Sequence, residues 1–158
     1  MRRKTLPIVF LLGVLMSLAC AEIVTREETV KIYSSLEEAV PRPARPLLLV
    51  FFSLDCHLCW DELFEMRHFL EKNSIPVDLV GISRDPEEEL RPFLSKFAFF
   101  HPVVSDRGRA LYRRFEVRLE PFRVILDRGS VLYQDDSALD FFVRRDKVKR
   151  CLVEIASQ

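Results

Sequence analysis

The chain opens on an apolar stretch from Leu6 to Ala19 behind Arg2, Arg3 and Lys4. Beyond it the apolar positions fall into short runs and helical stripes. Leu47 to Phe52 is six consecutive apolar residues behind a Pro-rich entry, which predicts a strand buried on both faces. Cys59, Leu63, Met66 and Leu70 recur at spacings of four, three and four, which predicts a helix with Asp55 as its cap and Asn73 and Ser74 at its end. Val77 to Ile82 reads as a second buried strand. Asp85-Pro86 followed by Glu87, Glu88 and Glu89 reads as a helix start capped by Asp85, with Leu90, Phe93, Leu94 and Phe97 as the apolar face. His101 to Val104 is a short extended piece, and Arg109 to Phe115 a short helix. Arg123–Leu126 and Ser130–Tyr133 flank Asp127-Arg128-Gly129 as a hairpin. Ser137 is expected to cap a last helix carrying Leu139, Phe142, Val143, Cys151, Leu152 and Ile155. Glu22 to Pro46 is mixed and polar, with a short helix, Leu36 to Val40, behind Ser35. The order is β-α-β-α-(β)-α-β-β-α. Early alternation implies parallel strands, and the late hairpin adds an antiparallel edge, so the fold class is α/β with a central mixed sheet flanked by helices.

At 158 residues the chain suits one compact domain. Residues 1–21 read as a secretory signal peptide, since the apolar segment is shorter than the ~20 residues of a membrane span. Cleavage after Ala21 is the first expectation. Lipidation of Cys20 as a membrane tether is a second, and an uncleaved anchor a third. All three place residues 22–158 at the extracytoplasmic face of a membrane or in the periplasm. The 24 basic residues balance 24 acidic ones, which argues against a nucleic-acid partner. The four glycines are scattered, so there is no glycine-rich phosphate loop.

Candidate chemistry concentrates in Cys56-His57-Leu58-Cys59, where the first buried strand gives way to a helix. Unpaired backbone N–H groups and the positive end of the helix dipole stabilise a thiolate there. Cys56, nearer the tip, is the expected nucleophile. Cys59, on the inward face, is the expected resolving thiol. Three readings compete. A zinc site lacks a second ligand pair, and no metal is expected. A c-type haem site requires His where Trp60 stands. An inert structural disulfide remains open, although so short a loop adds less stability than a long one.

Several segments in order resemble the secreted bacterial thioredoxin-like thiol–disulfide oxidoreductases of the TlpA/ResA/DsbE type. These are Leu47–Phe52, the Cys56–Glu62 segment, Val80-Gly81-Ile82-Ser83-Arg84-Asp85, Asp106 to Arg109, Phe115-Glu116-Val117 leading to Pro121, and Val124 to Gly129. The resemblance covers Leu36 to Asp135 and implies a thioredoxin-like fold, the arrangement that the predicted order of elements also has. It implies dithiol–disulfide exchange with the thiols and disulfides of secreted proteins, with no cofactor. It also implies a membrane electron-transfer partner and a reductase direction; a monomer is expected. Glu62 falls on the family's acid, beside Cys59 at i+3, where it would carry protons and tune the thiols. Pro121 falls on the family's cis-proline, which holds substrate backbone. His57 and Glu120 are expected to meet substrate. Asp55 and Phe64 depart from the family's Trp and Pro, and Glu120 from its small or β-branched residue. An acid at position 120 would repel acidic substrates or select basic ones. Arg113, Arg114, Arg118 and Arg123 read as a solvated face, and Cys151 as a buried inert thiol. Outside the oxidoreductase class, a non-catalytic thioredoxin-like binding or assembly module would keep Cys56–Cys59 as a staple. Peroxide reduction is a third reading, set against Phe52 and Ser53 in place of a T-x-x-C context.

Overall fold

The computed structural model describes residues 29–157. The signal segment, its cleavage site and Cys20 lie outside the described residues. The strands are β1 (Ile32–Tyr33), β2 (Leu47–Phe52), β3 (Asp78–Ser83), β4 (Val103–Ser105), β5 (Phe122–Asp127) and β6 (Ser130–Gln134). The helices are α1 (Leu36–Ala39), α2 (His57–Lys72), α3 (Glu87–Lys96), α4 (Ala110–Arg114) and α5 (Phe141–Ala156). The strands form one sheet in the order β1-β4-β3-β2-β5-β6. The pairs from β1 through β2 are parallel, and β2–β5 and β5–β6 are antiparallel.

All six residues of β2 are buried because helices cover both faces of the sheet. Leu48, Val50 and Phe52 join Cys59, Leu63, Met66, Leu90, Leu94, Val148 and Leu152 in one core, under α2, α3 and α5. Leu47, Leu49 and Phe51 join Leu36, Leu111, Tyr112 and Phe122 in the other, under α1 and α4. The alternation follows from the two-residue period of a strand. Gly81 sits where side chains of the flanking strands close over β3: an added Cβ would stand 3.0 Å from the Phe52 ring and 3.2 Å from Val103.

Several boundaries differ from the sequence reading, each for a local reason. Asp85 does not cap α3; Pro86 holds that position, and the Asp85 carboxylate is spent elsewhere. Asp55 does not cap α2; Cys56 does, with extended backbone and no side-chain cap bond. Ser137 does not cap α5. Asp136 accepts from the Ala138 N–H and folds residues 137–139 into a turn, so Asp140 becomes the cap and accepts from the Phe142 N–H at 2.8 Å. Arg123 is not on a solvated face, being fully buried in β5. Cys151 is half-buried at the border of the helix-side core rather than within it. Strand β1, in the mixed and polar stretch where the sequence reading has no strand, pairs with β4 through only two residues.

Candidate active site

The parallel strands β2, β3 and β4 all end on the same side of the sheet, and β5 starts there. That edge is where ligand-facing loops gather in α/β sheets. Residues Ser53 to Asp55 lead from β2 into α2 and are pinned from the neighbouring strand. The Leu54 N–H donates to Asp85 Oδ2 at 2.7 Å, and Ser83 Oγ donates to the same oxygen at 2.8 Å. The Ser105 hydroxyl donates to the Asp85 carbonyl at 2.8 Å. One acid therefore ties together the tips of β2, β3 and β4.

Cys56 and Cys59 are joined by a disulfide, with Cα atoms 5.2 Å apart. Cys56 is half-buried at the N-cap of the sixteen-residue α2, and Cys59 is fully buried one turn in. The accessible sulfur therefore sits at the positive end of a long helix. His57 is exposed and stacks on Trp60, with ring centroids 4.3 Å apart; its Nδ1 stands 3.8 Å from Asp61. Trp60 in turn packs against Phe64, Phe93 and Phe97.

Beneath Cys59 lies a buried ion network. Glu62 is fully buried, and its two oxygens meet different guanidinium groups. Arg123 Nη1 donates to Oε1 at 2.5 Å, and Arg145 Nε donates to Oε2 at 2.7 Å. Arg123 reaches on through Nε to Asp135 Oδ2 at 2.9 Å, where Arg144 Nη1 also donates at 3.1 Å. Tyr133 donates its hydroxyl to the other Asp135 oxygen at 2.6 Å; burial, and then this bond, push the phenol well above its ordinary value. Among the described residues Arg123 Nη2 and Arg144 Nε have no hydrogen-bond partner.

Pro121 follows a cis peptide bond from Glu120 and stands at the start of β5. Phe122 pairs with Phe51, which puts Pro121 level with the end of β2. The Pro121 carbonyl accepts from Arg144 Nη1 at 2.9 Å, so the network beneath Cys59 also holds the proline loop. Glu120 does not present a free charge. Its side chain is 10% exposed. It accepts from the Tyr112 hydroxyl at 2.5 Å and lies 3.5 Å from Arg84 Nη2. Burial, then that bond, raise the Tyr112 phenol far above its ordinary range. Tyr112 also reaches the Phe52 carbonyl at 3.3 Å. The carboxylate at position 120 is thus turned toward Tyr112 and Arg84 rather than left free toward solvent.

The structure thus gathers Cys56, His57, Cys59, Glu62, Glu120 and Pro121 at one end of the sheet. Sequence reasoning missed Asp85, Tyr112, Arg123, Asp135, Arg144 and Arg145. One signal was present for Arg123. It stands in an otherwise apolar strand on the same face as Ile125, and a central strand covered on both sides can hold a charge only if it is paired.

Comparison with known proteins adds the following. A family model described as AhpC/TSA matches residues 26–142. No curated protein matches the chain. Among solved structures, a thioredoxin-like protein from Porphyromonas gingivalis shares 20% identity over 73% of this chain and 78% of its own, with a TM-score of 0.58. A secreted disulfide oxidoreductase from Mycobacterium tuberculosis, homologous to E. coli DsbE, shares 21% over 70% and 81%, with a TM-score of 0.51. The thioredoxin domain of a thiol-disulfide oxidoreductase from Bacteroides vulgatus shares 15% over 68% and 79%, with a TM-score of 0.53. These likenesses establish a thioredoxin-like fold.

Proposed function

This chain belongs to the AhpC/TSA family, and from that premise we propose that it is an extracytoplasmic thiol–disulfide oxidoreductase. The observation that carries the reading is one half-buried sulfur, Cys56, at the N-cap of a sixteen-residue helix, bonded to a fully buried sulfur three residues on. The helix end favours the Cys56 thiolate. In the reduced protein that thiolate attacks one sulfur of a substrate disulfide. A mixed disulfide forms, and the other substrate sulfur leaves as a thiolate that takes up a proton. Cys59 then loses its proton and attacks Cys56 Sγ. The second substrate thiol leaves, and the Cys56–Cys59 bond closes. Two electrons pass from the protein dithiol to the substrate, and a membrane redox partner would return them.

Pro121, at the tip of β5 beside the end of β2, would hold substrate backbone, and exposed His57 would meet the substrate beside Cys56. Glu62 would act on Cys59 through its charge rather than as a proton carrier, because guanidinium groups occupy both of its oxygens. The extracytoplasmic placement rests on residues 1–21, and substrates would then be secreted proteins.

Reduction of insulin disulfides tests the reading. The wild-type protein should turn over with a dithiol reductant. Cys59→Ser should accumulate a mixed disulfide through Cys56, visible on non-reducing gels, and Cys56→Ser should do neither. Absence of both turnover and trapping would leave a binding or assembly module whose Cys56–Cys59 bond is a staple.

A further inference from the structure

The reaction above leaves a group of arginines beside the proline loop without a role. A groove of about 150 Å³ runs between Arg84, Tyr112 and residues 117–120. A second, of about 400 Å³, continues it past Arg109, Arg113 and Glu116, and the two share Tyr112, Val117 and Arg118. Arg109, Arg113 and Arg118 are all exposed. Of these guanidinium groups, Arg113 uses Nη1 on the Gly108 carbonyl at 2.7 Å. Arg84 faces Glu120, whose charge is thereby taken up within the fold. What the groove offers to solvent is therefore three arginines against the single carboxylate of Glu116.

The groove is also in the right place. Arg118 and Leu119 lead directly into the cis Glu120–Pro121 bond, and Tyr112, on its floor, touches the carbonyl of Phe52 at the end of β2. Along the chain around Cys56 the exposed charges are instead acidic, at Asp55 and Asp61. An acidic segment would be repelled there and drawn to the proline side. The chain as a whole balances its charges, so this polarity is local.

We propose that the Arg109–Arg113–Arg118 face docks an acidic segment of the substrate protein, so that Cys56 reacts preferentially with disulfides lying beside aspartates and glutamates. The inference rests on the oxidoreductase reading and names its substrate class. Exposed charges act here chiefly by steering encounter, which is strongly salt-dependent.

The test uses the protein recovered from secreting cells, reduced, and three synthetic peptides. Each carries one cysteine in disulfide with a small uncharged thiol, beside a run of aspartate, lysine or serine. Oxidation of the protein is followed through its single tryptophan, Trp60. At low salt the aspartate peptide should react about tenfold faster than the lysine peptide. The gap should close in 1 M NaCl, where screening shortens to about 3 Å. Arg109→Gln/Arg113→Gln/Arg118→Gln should abolish the gap and leave the serine peptide's rate unchanged. Arg42→Gln/Arg45→Gln/Arg128→Gln, at the opposite end of the sheet, should keep it. Equal rates for the two charged peptides, or a gap that survives the first variant, overturns the proposal. A serine peptide left unreduced by the wild type overturns the oxidoreductase reading instead. Binding of a labelled, cysteine-free aspartate peptide then decides the surface by itself: lost in the first variant and kept in the second it supports docking, and otherwise it refutes it.

Discussion

Arg123 shows how much one side chain can carry. It bridges Glu62 and Asp135, both without side-chain exposure, and among the described residues no other side chain forms an ion pair with both. Removing it would leave two buried carboxylates each short of a partner, a change that costs about 3–5 kcal/mol. Arg123→Ala should lower the urea midpoint accordingly. Arg123→Lys should recover little, since an ammonium cannot span two carboxylates as a planar fork does. A loss below about 1 kcal/mol would mean that Arg144 and Arg145 suffice. Cys151 makes a different point at the same scale. Burial, and then the charge of Glu154, raise its thiol above the ordinary value. The folded chain therefore keeps the proton where the unfolded chain loses it, and this group lowers stability as pH rises through about 8.5. Iodoacetamide should modify Cys151 more slowly in the native protein than in urea at pH 8. The native rate should still be climbing at pH values where a model thiol has levelled off, as peptide mass spectrometry would show.

Helix α4 illustrates an element that its own residues do not sustain. Five residues fall short of independent helix stability, and its N-cap, Arg109, has a positive φ and no cap bond. Asp106 supplies what is missing, accepting from the N–H groups of Ala110, Leu111 and Tyr112 at 2.8, 2.9 and 3.1 Å. Because these bonds end on a buried charged acceptor, Asp106→Ala should destabilise by about 2–3 kcal/mol in chemical denaturation. Asp106→Asn should recover part of that. The consequence reaches the site, since α4 carries Tyr112 and Tyr112 holds Glu120. Helix α2 is the contrasting case. Its sixteen residues present Cys59, Leu63, Met66 and Leu70 to the sheet. That stripe is long enough to be read directly from spacing, and it was.

Across the whole molecule, the sheet collects at one end groups that the chain keeps up to 89 residues apart, from Cys56 to Arg145. A chain directed out of the cytoplasm would also reach an environment in which a Cys56–Cys59 bond can persist. Protein recovered from the extracytoplasmic fraction of a secreting bacterium should begin at Glu22 by N-terminal sequencing. A lipid-bearing Cys20 at the N-terminus would select the tethered alternative, and an intact chain confined to the cytoplasm would refute the placement.

The local content of the sequence was enough for the buried strands, the long amphipathic helix, the hairpin and the Cys-x-x-Cys step between strand and helix. Those features rest on periodicity and turn chemistry within a few residues of one another. It also yielded the order of elements from β2 onward, and with it the α/β class. The partners of Glu62, Glu120 and Asp85 were beyond its reach. An isolated acid reads as solvated or as a cap, and only the packed sheet decides which distant arginine, hydroxyl or amide stands within 3 Å of it. The two acids nearest the candidate chemistry, at positions 62 and 120, thus have their partners chosen by the tertiary structure, because a carboxylate withdrawn from water must find a donor across the fold.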